Sequence, residues 1–73
     1  MNQQKFDKLY EPKQKKILLL IPFLQEKPRP LMSIANLLSV HPKWASSYIR
    51  DLRKLEVEVK KDQYKKYYID ATL

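Results

Sequence analysis

The sequence predicts a small α+β domain, with helices first and a β-hairpin last. Three observations predict it. Apolar residues recur at helical spacing as far as Leu55, and directly after Leu55 the period changes from 3.6 to 2. The chain has 73 residues, which sets one domain at most. A domain of that size buries only about 60% of its unfolded surface, so its core must be economical.

Residues 1–12 are polar, with Phe6, Leu9 and Tyr10 as apolar anchors. Their spacing fits a short helix packed on the body, or a loose arm. Pro12 ends that segment and can open the next helix. The first long helix is expected over residues 13–27, with Ile17, Leu20, Ile21 and Leu24 on its core face. Pro22 removes the hydrogen bond to the Leu18 carbonyl and costs about 3 kcal/mol in a helix interior, so a kink or a break is expected there. Leu19 and Phe23 lie off the main face. They are either covered by the Phe6-Leu9-Tyr10 segment or form a surface for a second copy or another protein. Lys27-Pro28-Arg29-Pro30 is expected to be a stiff extended linker.

Two helices with a tight break follow. The first is expected over residues 33–38, with Ser33 as N-cap and Ile34, Leu37 and Leu38 at helical spacing. Small Ala35 lets the next helix cross closely. Ser39-Val40-His41 is the break, with Val40 as its apolar plug. The second helix is expected over residues 42–55, opened by Pro42. Ala45, Tyr48, Ile49, Leu52 and Leu55 form its buried stripe. Its other face carries Lys43, Trp44, Ser46, Ser47, Arg50, Arg53 and Lys54, the small, polar and basic surface that a helix in the major groove of DNA requires. Residues 56–70 read as a hairpin. Glu56-Val57-Glu58-Val59-Lys60 alternates, Tyr64–Ile69 is rich in β-formers, and Lys61-Asp62-Gln63 falls between. Asp-Gln is a poor two-residue turn, so a longer loop built on a type I turn is expected.

This order, a helix, a helix-turn-helix and a basic hairpin, resembles the winged helix-turn-helix family over about residues 13–69. The segments that carry the likeness are Ile34-Ala35-Leu38, Tyr48-Ile49-Arg50-Asp51-Leu52-Arg53-Lys54-Leu55, Val57-Glu58-Val59 and Tyr67-Tyr68-Ile69. They are similar to the N-terminal DNA-binding domain of the biotin repressor type and to small stand-alone regulators of bacteria, phages and plasmids. The resemblance implies a three-helix core with a two-stranded wing. It also implies glycine in the turn, after the recognition helix and in the wing. Here those places hold Ser39, Glu56 and Asp62-Gln63, and the chain has no glycine at all.

Composition narrows the function. Net charge is +7 with pI near 9.7, which favours a polyanionic partner. Without glycine there is no phosphate-cradling glycine loop. Without cysteine there is neither a disulfide framework nor a thiolate metal site, and a reducing compartment is permitted. Ile17–Leu24 falls far short of the ~20 residues of a membrane span. Its basic flank suggests a signal peptide in outline, but Gln25, Glu26 and Lys27 stand where small residues would mark cleavage. His41 is the single histidine, and Ser46, Ser47 and Asp51 share one helix, so neither a metal site nor a catalytic triad is expected.

The expected function is sequence-specific binding of double-stranded DNA, as a transcriptional regulator or an accessory protein of a mobile element. The location that goes with it is the cytoplasm, on the nucleoid. No cofactor is expected. His41, Lys43, Trp44, Ser46, Ser47, Arg50 and Lys54 are the candidates on the recognition helix, and Lys60, Lys61, Lys65 and Lys66 those of the wing. Each has a plainer role: His41 a solvated turn residue, Trp44 packed on the preceding helix, Arg50 paired with Asp51 or Glu26, the lysines a solubilising strand edge. Two other functions stay open. One is a protein-interaction module anchored by Trp44, Leu19 and Phe23. The other is single-stranded nucleic-acid binding through Tyr64, Tyr67 and Tyr68.

Overall fold

A computed structural model describes residues 1–70. It holds α1 (Gln3–Asp7), α2 (Glu11–Glu26), α3 (Leu31–Leu38), α4 (Pro42–Lys54), β1 (Lys60–Lys61) and β2 (Tyr67–Tyr68). The architecture is α+β, four helices plus a two-stranded antiparallel sheet, and is compatible with a small winged-helix-like fold.

The N-terminal segment is a short helix. The Asn2 side chain accepts from the Lys5 N–H at 3.1 Å, and the Asn2 N–H donates to the Leu55 carbonyl at 2.6 Å, tying α1 to the end of α4. Phe6 is buried and Leu9 packs against the core. Tyr10 is no anchor: it is 85% exposed. It is the N-cap of α2, and its extended backbone (φ −60°, ψ 143°) takes it out of the helical register of Phe6 and Leu9.

Helix α2 buries Ile17, Leu20 and Leu24 and runs unbroken through Pro22. The proline is exposed and lies on the side away from the core, so the Leu18 carbonyl that loses its N–H partner faces solvent. Leu19 is 55% exposed, so the N-terminal segment does not cover it. Phe23 is half-buried under a different residue, with the Arg29 guanidinium carbon 3.9 Å from its ring centroid.

Helix α3 begins earlier than expected. Pro30, not Ser33, is its N-cap. The extended Pro30 presents its carbonyl to the N–H groups of Ser33 (3.0 Å) and Ile34 (3.3 Å). The helix ends on Ser39 in a left-handed conformation (φ 55°, ψ 45°), with the Val40 N–H bonded back to the Ala35 carbonyl at 3.0 Å. Val40 plugs the turn as expected. The same device closes α4: Glu56 has φ 67°, and the Val57 N–H reaches the Leu52 carbonyl at 3.0 Å. Ile34, Ala35 and Leu38 of α3 meet Ala45, Ile49 and Leu52 of α4 in the core, with Leu55 and Val59 at its edge and Tyr48 half-buried.

The hairpin is shorter than its sequence pattern. Lys60 pairs with Tyr68 and Lys61 with Tyr67, and no further. The alternation of Glu56 to Lys60 is real in burial, since Val57 and Val59 face in and Glu56 and Glu58 face out. It records the sidedness of an extended chain, not a ladder. The tip is a three-residue loop, residues 63–65. The Asp62 N–H donates to Lys66 O (2.9 Å) and the Lys65 N–H to Asp62 O (3.1 Å), with Lys65 at φ 62°. Tyr64 therefore belongs to the tip and not to a strand. The residues 27–30 linker is also more than a linker, because Arg29 exchanges two backbone hydrogen bonds with Tyr67, at 2.8 and 2.7 Å. The pairing is a single bridge, because the chain enters α3 at Leu31 directly afterwards.

Candidate nucleic-acid interface

Helix α4 carries the first part of the candidate surface. Lys43, Ser47, Arg50 and Lys54 follow one another at steps of 4, 3 and 4, which makes a single stripe along the side opposite Ala45, Ile49 and Leu52. Lys43, Arg50 and Lys54 are exposed, while Ser46 and Ser47 are half-buried. Trp44 is 58% exposed, so it is not packed on the preceding helix. The Lys43 ammonium lies 5.8 Å from its ring centroid. His41 is the N-cap: its Nδ1 accepts from the Lys43 N–H at 3.1 Å, which takes up that ring nitrogen in holding the helix start.

The charges around Arg50 decide its availability. Asp51 is bound to Lys13 of α2, with Nζ 2.9 Å from an Oδ2 that is sheltered from solvent and has no other partner among the described residues. Glu26 is bound to Arg29 at 2.8 Å. Both counter-ions expected for Arg50 are thus engaged elsewhere, and Arg50 makes no ion pair among the described residues. Arg53 differs. Its Nε and Nη2 donate to the Val59 carbonyl at 3.4 and 3.1 Å, so it fastens the wing to α4. Arg29 likewise serves the fold, donating to the Phe23 carbonyl at 3.2 Å. Sequence reading missed both roles, since a backbone carbonyl has no residue type to mark it.

The wing separates its four lysines. Lys60 Nζ sits 2.6 Å from Asp70 Oδ2 and 4.0 Å from Glu58 Oε1, which removes it from the candidate surface. The Asp70 hydrogen bond and charge hold its ammonium above the usual lysine range. Lys61, Lys65 and Lys66 are exposed and without ion pairs among the described residues. Lys61 lies 5.4 Å from the Tyr67 ring centroid. Asp62 turns its carboxylate inward, where Oδ1 accepts from the N–H groups of Tyr64 and Lys66, both at 2.9 Å. The tip is therefore closed and basic. Tyr64 stands on it 71% exposed, while Tyr67 and Tyr68 are half-buried.

Acidic side chains collect elsewhere. Glu56, Glu58 and Asp70 rim a shallow hollow floored by Ile21, Val57 and Ile69. No family model, curated protein or solved structure matches the chain. Among the described residues, no group of three or more His, Cys, Asp or Glu is placed to hold a metal ion, and no helix is long and apolar enough to cross a membrane.

Proposed function

We propose that the chain is a winged helix-turn-helix protein that binds double-stranded DNA sequence-specifically, as a transcriptional regulator or an accessory protein of a mobile element. Its place is the cytoplasm, on the nucleoid. The observation that carries the proposal is the uncompensated basic surface: Lys43, Arg50 and Lys54 on one stripe of α4, with Lys61, Lys65 and Lys66 on the wing. The acids nearest to it are engaged, Asp51 by Lys13 and Asp62 by backbone N–H groups. In this arrangement α4 enters the major groove and the wing follows the phosphates. Arg50 offers a bidentate fork to a guanine edge, Ser47 a hydroxyl, and Trp44 an apolar contact for a thymine methyl.

Selection from random duplex DNA, followed by gel shift, tests the proposal. A defined motif is expected. Replacing Arg50 with alanine then costs about 1–3 kcal/mol at one base pair and relaxes preference there. Equal loss on specific and scrambled duplexes makes Arg50 a phosphate contact. No duplex binding even at low salt overturns the proposal and leaves the protein-interaction module, for which the exposed Trp44 is the supporting observation. Single-stranded binding through the wing is disfavoured because, of Tyr64, Tyr67 and Tyr68, Tyr64 alone is exposed.

A further inference from the structure

Helix α2 has a second face that the DNA-binding proposal does not use. Lys15, Leu19, Pro22 and Glu26, spaced 4, 3 and 4, form a stripe on the side opposite Ile17, Leu20 and Leu24. Leu18 flanks it and, like Leu19, is 55% exposed. Nothing among the described residues covers these side chains.

The charges at the two ends of the stripe are complementary to each other. Lys15 pairs with Glu11 at 3.5 Å at one end, and Glu26 with Arg29 at 2.8 Å at the other. Lys15 and Glu26 stand roughly 16 Å apart along the axis, at ~1.5 Å per residue. If a second α2 runs antiparallel across the stripe, Lys15 of one copy faces the partner's Glu26, and Leu19 faces the partner's Pro22. Both ends are satisfied by one two-fold operation, which is the condition for a closed isologous dimer. Net charge adds a second argument. Two chains of +7 repel, yet Glu11, Lys15, Glu26 and Arg29 sum to zero, so this face offers a meeting place free of like-charge opposition.

We propose that a second copy of this chain docks on the α2 stripe, forming an antiparallel two-fold dimer centred between Leu19 and Pro22. One helix face buries less than the roughly 1,200 Å² of a stable complex. An interface of that size belongs to the weak, transient class, so the dimer is sought at high protein concentration.

Sedimentation equilibrium without DNA tests this independently of any duplex binding. In moderate salt, and up to about 1 mM protein, wild type is expected to show reversible monomer–dimer exchange. Leu19→Glu should weaken it at least about tenfold by placing a charge in the apolar centre. Lys15→Glu and Glu26→Lys should each weaken it, and the double variant K15E/E26K should return close to wild type, because the swap restores both cross-pairs. All these sites are exposed, and thermal melts check that the fold is retained. A wild-type monomer at every concentration overturns the proposal. So does a dimer indifferent to Leu19→Glu, or a double variant no better than the singles, which would place any association on another surface or in another register.

Discussion

Ser39, Glu56 and Lys65 hold positive φ without being glycine. Each such residue costs on the order of 1–3 kcal/mol relative to a relaxed backbone. Glycine removes that cost but adds about 0.4–1 kcal/mol of unfolded-state entropy. Ser39→Gly and Glu56→Gly are each expected to stabilise by about 1 kcal/mol, raising Tm by roughly 4–8 °C. An unchanged or lower melt would show that these residues are not strained. Two of the three positions were legible as places where the winged-helix resemblance implies glycine. The third was misplaced, because in this loop the left-handed residue follows the turn and falls on Lys65, past Asp62-Gln63. Leu52 marks the opposite extreme, being completely buried. Leu52→Ala should cost ~2–5 kcal/mol, enough to unfold much of so small a domain, and a denaturant titration will read it.

Single cross-links hold the elements in place. Lys13 binds Asp51 and lies 5.6 Å from the Tyr48 ring centroid, so one ammonium joins α2 to α4. The pair is asymmetric, with side-chain exposures of 34% for Lys13 and 17% for Asp51. Lys13→Met strands a sheltered carboxylate and should cost about 1–3 kcal/mol, while adding Asp51→Ala should recover part of it. If the double variant is no more stable than K13M alone, Asp51 does not depend on Lys13. Apolar spacing marks which faces of α2 and α4 turn to the core. It could not mark Lys13 as their fastener, because charge on a helix surface looks alike whether or not a partner stands opposite.

For the whole molecule, the question is where the net positive charge can act. Lys61 and Lys65 are exposed and without ion pairs among the described residues, and Lys60 is held by Asp70. If the wing lies along DNA, replacing Lys61 and Lys65 with glutamine should weaken binding to every duplex. The slope of log affinity against log salt should fall by roughly 0.9 per lysine. The preferred site should not change, and stability should be nearly unaffected, since both side chains are exposed. Lys60→Gln is the control and should move the slope less. An unchanged slope for K61Q/K65Q with DNA binding intact would take the wing off the backbone.

The sequence by itself determined the three longer helices and their main buried faces, the change to extended chain after Leu55 and the basic character of α4 and the wing; it left α1 open as a helix or an arm and missed the start of α3 at Pro30. What it determined follows from side-chain periodicity and composition, which act locally. Tertiary structure decided that Arg29 joins the sheet edge, that Arg53 is spent on the Val59 carbonyl, and that Lys60 is neutralised by Asp70. It also left Arg50 without a counter-ion among the described residues by giving Asp51 to Lys13. Each of these rests on a partner at least six residues away in the chain, or on a backbone group that carries no residue identity. Periodicity reports which way a side chain faces, and only packing supplies what it meets there.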